Sequence, residues 1–159
     1  MTSRIPLILS AFLAGAAPVA ATDGTAAAAQ SPAEAWQADP ALQFDAVDVA
    51  LEDFQWIARP VVVFADTPAD PRFRQQMEFL ADRPDALIER DIVVITDTDP
   101  SARSALRQKL RPRGFMLAVV GKDGGVKLRK PLPWDVREIS RSIDKMPLRQ
   151  QELKDMRGR

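Results

Sequence analysis

Three apolar runs divide the middle of the chain: Pro60-Val61-Val62-Val63-Phe64-Ala65, Ile92-Val93-Val94-Ile95 and Phe115 to Val120. Unbroken rather than alternating hydrophobicity over so few residues predicts strands buried on both faces, as in a parallel sheet covered by helices. The first run predicts the central strand. Asp70-Pro71 then opens a helix, with the aspartate as N-cap and proline in the first turn, and Phe73, Met77 and Leu80 form one apolar stripe before Arg83-Pro84 ends it. A second Asp-Pro pair, Asp99-Pro100, opens a second helix whose Ala102, Ala105, Leu106 and Leu110 share a face. A right-handed crossover would make the first two strands parallel.

Beyond the third run the pattern changes. Gly121-Lys122-Asp123-Gly124-Gly125 tolerates positive φ, and Val126 to Arg129 alternates apolar and basic, so the pair reads as an antiparallel hairpin ending in a half-buried edge strand. Asp135 and Glu138 stand as N-cap and N3 of a capping box, Trp134 and Ile139 as a hydrophobic staple, and Val136, Ile139 and Ile143 as the buried stripe of a last helix stopped at Met146-Pro147. Trp134 and Trp56 read as core or staple residues. The polar tail 148–159 reads as frayed.

Upstream, Met1 to Arg4, the apolar run Ile5 to Ala17 and the small residues Val19-Ala20-Ala21 have the layout of a signal peptide over 1–21, too short to remain as a membrane anchor. The Ala-, Ser- and Pro-rich stretch 22–41, with Trp36 its one large apolar group, reads as a flexible linker, and 42–147 as one folded domain. These features predict an exported protein, periplasmic or secreted.

Composition removes chemistry. The 159 residues include no cysteine, histidine or tyrosine, which excludes thiol oxidoreductase or peroxidase activity through a cysteine of this chain, Ser-His-Asp and Cys-His mechanisms, and histidine-metal sites. Formal net charge is zero, yet Thr22 to Asp70 holds nine acids against one base and Arg129 to Arg159 nine bases against five acids. The basic series Arg103, Arg107, Lys109, Arg111 and Arg113 reads as a solvated helix face, and without interleaved aromatics it predicts no nucleic-acid partner.

A βαβ unit, a helix, a β-hairpin and a closing helix follow the order of a thioredoxin core. Arg59 to Ala65, Asp70-Pro-Arg-Phe-Arg-Gln75, Arg90-Asp-Ile-Val-Val-Ile95, Gly114-Phe115, Gly121-Lys-Asp-Gly124, Ile143-Asp-Lys-Met-Pro147 and Arg149-Gln-Gln-Glu152 together resemble a family of small secreted bacterial proteins carrying domain of unknown function 4174, related to a domain of animal sushi-repeat and matrix proteins. The resemblance runs from about Leu51 to Glu152 and implies an α/β, thioredoxin-like three-layer sandwich of unknown molecular function. It brings no catalytic residues and no cofactor. Where thioredoxins carry Cys-x-x-Cys this chain has Asp66-Thr67-Pro68-Ala69-Asp70, and the position of their cis-proline falls on Phe115 or Met116, with Pro112 displaced.

Two readings stay open. One is a non-catalytic module that binds an extracytoplasmic protein or peptide, through the edge strand Val126 to Arg129. The other uses Asp66, Asp70, Asp97 and Asp99, which would converge at the carboxyl edge of the sheet with Thr67 and Thr98 and hold a divalent cation, although capping alone explains Asp70 and Asp99. Ser142-x-x-Lys145 has the spacing of serine acyl-enzymes but falls at a helix end, and the Gly121 to Gly125 loop opens no helix, so neither predicts a site.

Overall fold

The computed structural model describes residues 30–158. The signal-peptide assignment over 1–21, the first part of the linker and Arg159 lie outside the described residues. Strands β1 (Gln43–Asp45), β2 (Arg59–Phe64), β3 (Ile92–Asp97), β4 (Met116–Val120) and β5 (Val126–Lys130) form one sheet in the order β1-β3-β2-β4-β5. β1 and β2 flank β3 in parallel, and β4 and β5 run antiparallel. Every residue of β2 is buried, as its unbroken run demands.

Strand alternation sorts the core into two layers. Val61 and Val63 face Leu80, Leu87, Val136, Ile139 and Ile143 of helices α2 (Pro71–Ala81), α3 (Pro84–Ile88) and α5 (Val136–Asp144). Val62 and Phe64 face Phe54, Leu106 and Leu110, the last two on α4 (Ala105–Leu110). The result is a three-layer α/β sandwich of the thioredoxin kind.

Several expectations are corrected. The linker 22–41 contains a helix, α1 (Pro32–Ala38), closed by a Ser31/Glu34 capping box. Trp36 lies only 6% exposed in the α4-side core, because burying that much apolar surface outweighs the ordering of one short helix. The segment after it adds an edge strand, β1, too short to show a period. The tail is not frayed: Pro147 stops α5 and also starts α6 (Pro147–Arg157), where proline at the first turn costs no hydrogen bond.

Local chemistry departs in three further places. Asp99 caps a 3-10 turn at Pro100–Ala102, and Arg103 at φ 49° breaks the path before Ser104 caps α4. Asp135 caps α5 by accepting from the Arg137 amide at 2.6 Å, while Glu138 pairs with Arg141 instead of completing a capping box. Trp56 is 65% exposed, at φ 63°, so it is neither core nor staple. Trp134 packs, half-buried, against the core cluster that holds Ile139, its backbone held on both sides by the buried Gln76 amide at 2.7 and 3.0 Å. All described peptide bonds, including Arg111-Pro112, are trans.

Candidate functional site

At the carboxyl edge of the parallel strands the four candidate aspartates are brought to one pole but not to one point. Asp97 ends β3 at 3% exposure. Its carboxylate accepts from the Ser104 hydroxyl at 2.6 Å and from Arg107 Nη2 and Nε at 2.6 and 3.0 Å. The same guanidinium donates to the Ala65 carbonyl at 2.8 Å and lies 5.6 Å from the Phe64 ring centroid. Arg107 is thus no solvated member of a basic face. It closes the ends of β2 and β3, and its charge is the counterion that lets Asp97 be buried.

The other three acids stand apart from this clamp and from one another. Asp66 is 62% exposed and 3.8 Å from Arg107. Asp70 caps α2, accepting from the Arg72 amide and Nη2, both at 2.8 Å, and the Arg72 side chain holds its carboxyl below the ordinary range. Asp99 accepts from the Ser101 amide and hydroxyl, and that hydroxyl lowers its pKa first. Among the described residues no three acids lie close enough together to hold a metal ion. The predicted divalent-cation cluster is therefore two caps, one arginine clamp and one exposed carboxylate: Asp70 and Asp99 find donors two residues on, Asp97 is taken by Ser104 and Arg107, and Asp66 stands apart.

Beside this clamp lies an open cleft of about 250 Å³. Arg111, Arg113, Arg129 and Lys130 line it around Phe115 and Met116, and no acid contributes. Arg111 adopts φ 50° as the C-cap of α4, and Gly114 at φ 67° turns the chain into β4. A side chain would be strained at the Gly114 backbone angle. Arg129 Nη1 donates to the Leu110 carbonyl at 2.8 Å, and Lys130 Nζ stands 4.4 Å above the Trp134 ring. Arg111 and Arg113 form no side-chain hydrogen bond or ion pair among the described residues.

The opposite pole carries the arrangement that sequence reasoning missed. Arg59, at the start of β2, is 1% exposed; its Nη1 donates to the Arg90 carbonyl at 2.9 Å and its Nη2 to Glu152 Oε1 at 2.8 Å. Lys122 reaches Asp91 at 2.7 Å and Glu152 at 3.3 Å. Arg90 grips Asp144 through two bonds of 3.0 and 2.8 Å, and the buried Arg149 donates to the Glu89 carbonyl at 3.1 Å. Burial pushes the Glu152 carboxyl up, but Arg59 and Lys122 together hold it below the ordinary glutamate range. A pocket of about 210 Å³ lies beside Arg59 and Lys122 under Met146 and Leu148. Charge here is matched, cation to anion. One signal was available: Arg59, Arg90, Asp91, Lys122, Asp144, Arg149 and Glu152 all fall within the segments that carried the family resemblance.

Among solved structures, the crystal structure of reduced Plasmodium vivax 2-Cys peroxiredoxin is similar, with a TM-score of 0.52 and 12% identity over 65% of this chain and 85% of that one. At that identity the likeness is one of fold. No curated protein matches the sequence. A family model described as "Domain of unknown function (DUF4174)" matches residues 50–152, from the 3-10 turn before β2 to the glutamate that anchors α6, and the chain belongs to that family.

Proposed function

We propose that this domain is a non-catalytic, exported module that binds a protein or peptide along the free edge of β5. The observation that carries the reading is the position of β5: it ends the sheet beyond β4, so among the described residues one row of its backbone N–H and C=O groups has no strand partner. Val126, Lys127 and Arg129 are exposed along it. The loop that replaces a thiol pair supports the non-catalytic half of the proposal. Asp66 to Asp70 is occupied by capping and by Arg72 and Arg107, and the chain offers no cysteine or histidine nucleophile. Export rests on the layout of residues 1–21.

Pull-down from the extracytoplasmic fraction, followed by amide chemical-shift mapping with the captured partner, tests the proposal. Shifts confined to Val126–Lys130 and its neighbours are expected. Binding that leaves β5 unperturbed would sink the edge-strand reading. The mature N-terminus, read by mass spectrometry on protein from that fraction, is expected just after residue 21; an uncleaved chain in the cytosol would overturn export.

A further inference from the structure

We infer that the cleft between the α4–β4 connection and the end of β5 takes acidic side chains of an extended peptide that pairs with β5. This rests on β5 being the docking edge and adds the chemistry of what docks there. Charge complementarity carries the choice. Four cations, Arg111, Arg113, Arg129 and Lys130, surround one opening with no acid in its lining. Arg111 and Arg113 are both exposed and, among the described residues, uncommitted, so their forks are available for bidentate carboxylate recognition. Phe115 and Met116 give the cleft an apolar floor, and Leu132, just past the strand, is 63% exposed.

Cations along an edge strand also keep edges from pairing with themselves. That role accounts for Lys127 and Arg129 but not for Arg111 and Arg113, which lie off the strand. The same charges disfavour a second copy of this chain as occupant, since like charges would face each other across the joint. Nucleic acid is disfavoured because the aromatic groups at this pole are covered: Phe115 is buried and Lys130 lies over Trp134.

The test uses the purified full chain and fluorescence anisotropy with labelled peptides of about eight residues, long enough to span a typical strand, one alternating Glu and Val, the other Lys and Val. The Glu-Val peptide is expected to bind and to shift the Val126–Lys130 amides. R111Q/R113Q should weaken it on the order of tenfold, and R111K/R113K, which keeps the charge but not the fork, should restore it only in part. Thermal melts of both variants check that the fold is intact. Equal binding of the Lys-Val peptide, with β5 shifts, would overturn the acidic class and leave the docking edge standing. Glu-Val binding that ignores R111Q/R113Q would remove the cleft from the interface. Oligothymidylate binding as tightly, with the same arginine dependence, would make this a general polyanion site, and self-association through β5 would make the occupant a second copy. If neither peptide moves a β5 amide, this inference and the edge-strand reading fall together.

Discussion

The two ends of the sheet use the same residue types to opposite effect. At the amino-terminal end of β2, Arg59, Arg90, Lys122 and Arg149 are set against Glu89, Asp91, Asp144 and Glu152. Helix α6 supplies Arg149 and Glu152 to this network, and Arg59 is almost wholly out of water. At the carboxyl end, Arg107 is spent on Asp97 and two backbone carbonyls, while Arg111 and Arg113 are left over. A buried arginine must be matched, since removing one partner strands a charge in low dielectric. An exposed arginine is stabilised by water and stays available. The distinction between structural and recognition charge therefore lies in burial and in the local balance of signs, not in residue type.

The comparison breaks most readily at Arg59. R59M should lower unfolding free energy by about 3 kcal/mol, because the Arg90 carbonyl and Glu152 lose their donor in a covered site. R59M/E152L should recover part of that loss, since the Arg59–Glu152 pair is replaced by apolar groups, and only part, because Lys122 and the buried Arg149 also lose Glu152. Urea denaturation measures both, and a neutral R59M would mean the network contributes nothing to stability.

At the other end, D97N should cost about 2 kcal/mol by weakening two charged hydrogen bonds to Arg107. D66N, at an exposed carboxylate, should stay within about 0.5 kcal/mol. Equal costs for the two would show that the clamp does not depend on the buried partner.

Acid sharpens the contrast further. Because the folded state holds Glu152 below its ordinary value of about 4.3, its contribution is present above that value and is lost as pH falls through it toward the lowered folded value. Urea midpoints measured between about pH 5.5 and 3.5 should therefore fall less steeply for E152Q than for the parent chain. Parallel slopes would place the titration elsewhere. The smallest expected effect is at the cleft, where R111Q/R113Q should change stability by less than about 0.5 kcal/mol. A larger loss would make those arginines structural, like their counterparts at the far end.

Three strands were legible because β2, β3 and β4 are buried on both sides along their middles and admit charge only at their ends, as at Arg59 and Asp97, so each leaves a contiguous apolar run. Helices α2 and α5 were legible from their caps and stripes. The candidate site was legible only as a place. The sequence put Asp66, Asp70, Asp97 and Asp99 at one edge, but which donor each carboxylate takes depends on angstrom-scale loop paths, and Ser104 and Arg107 reach Asp97 only through the turn made by Arg103 at φ 49°. Helix α1 was hidden because its composition is that of a linker and its buried face consists of one small residue, Ala33, and one large one, Trp36.

Taken alone, the sequence determines the α/β layering, through hydrophobic period, and the loss of thiol and imidazole chemistry, through composition. Only the tertiary structure decided which charges are spent and which are free. Arg59 and Glu152 are 93 positions apart and meet at 2.8 Å, whereas Arg107 and Arg111 sit one helical turn apart and have different surroundings. Charge pairing in a folded chain is set by three-dimensional proximity and dielectric, which local spacing does not encode.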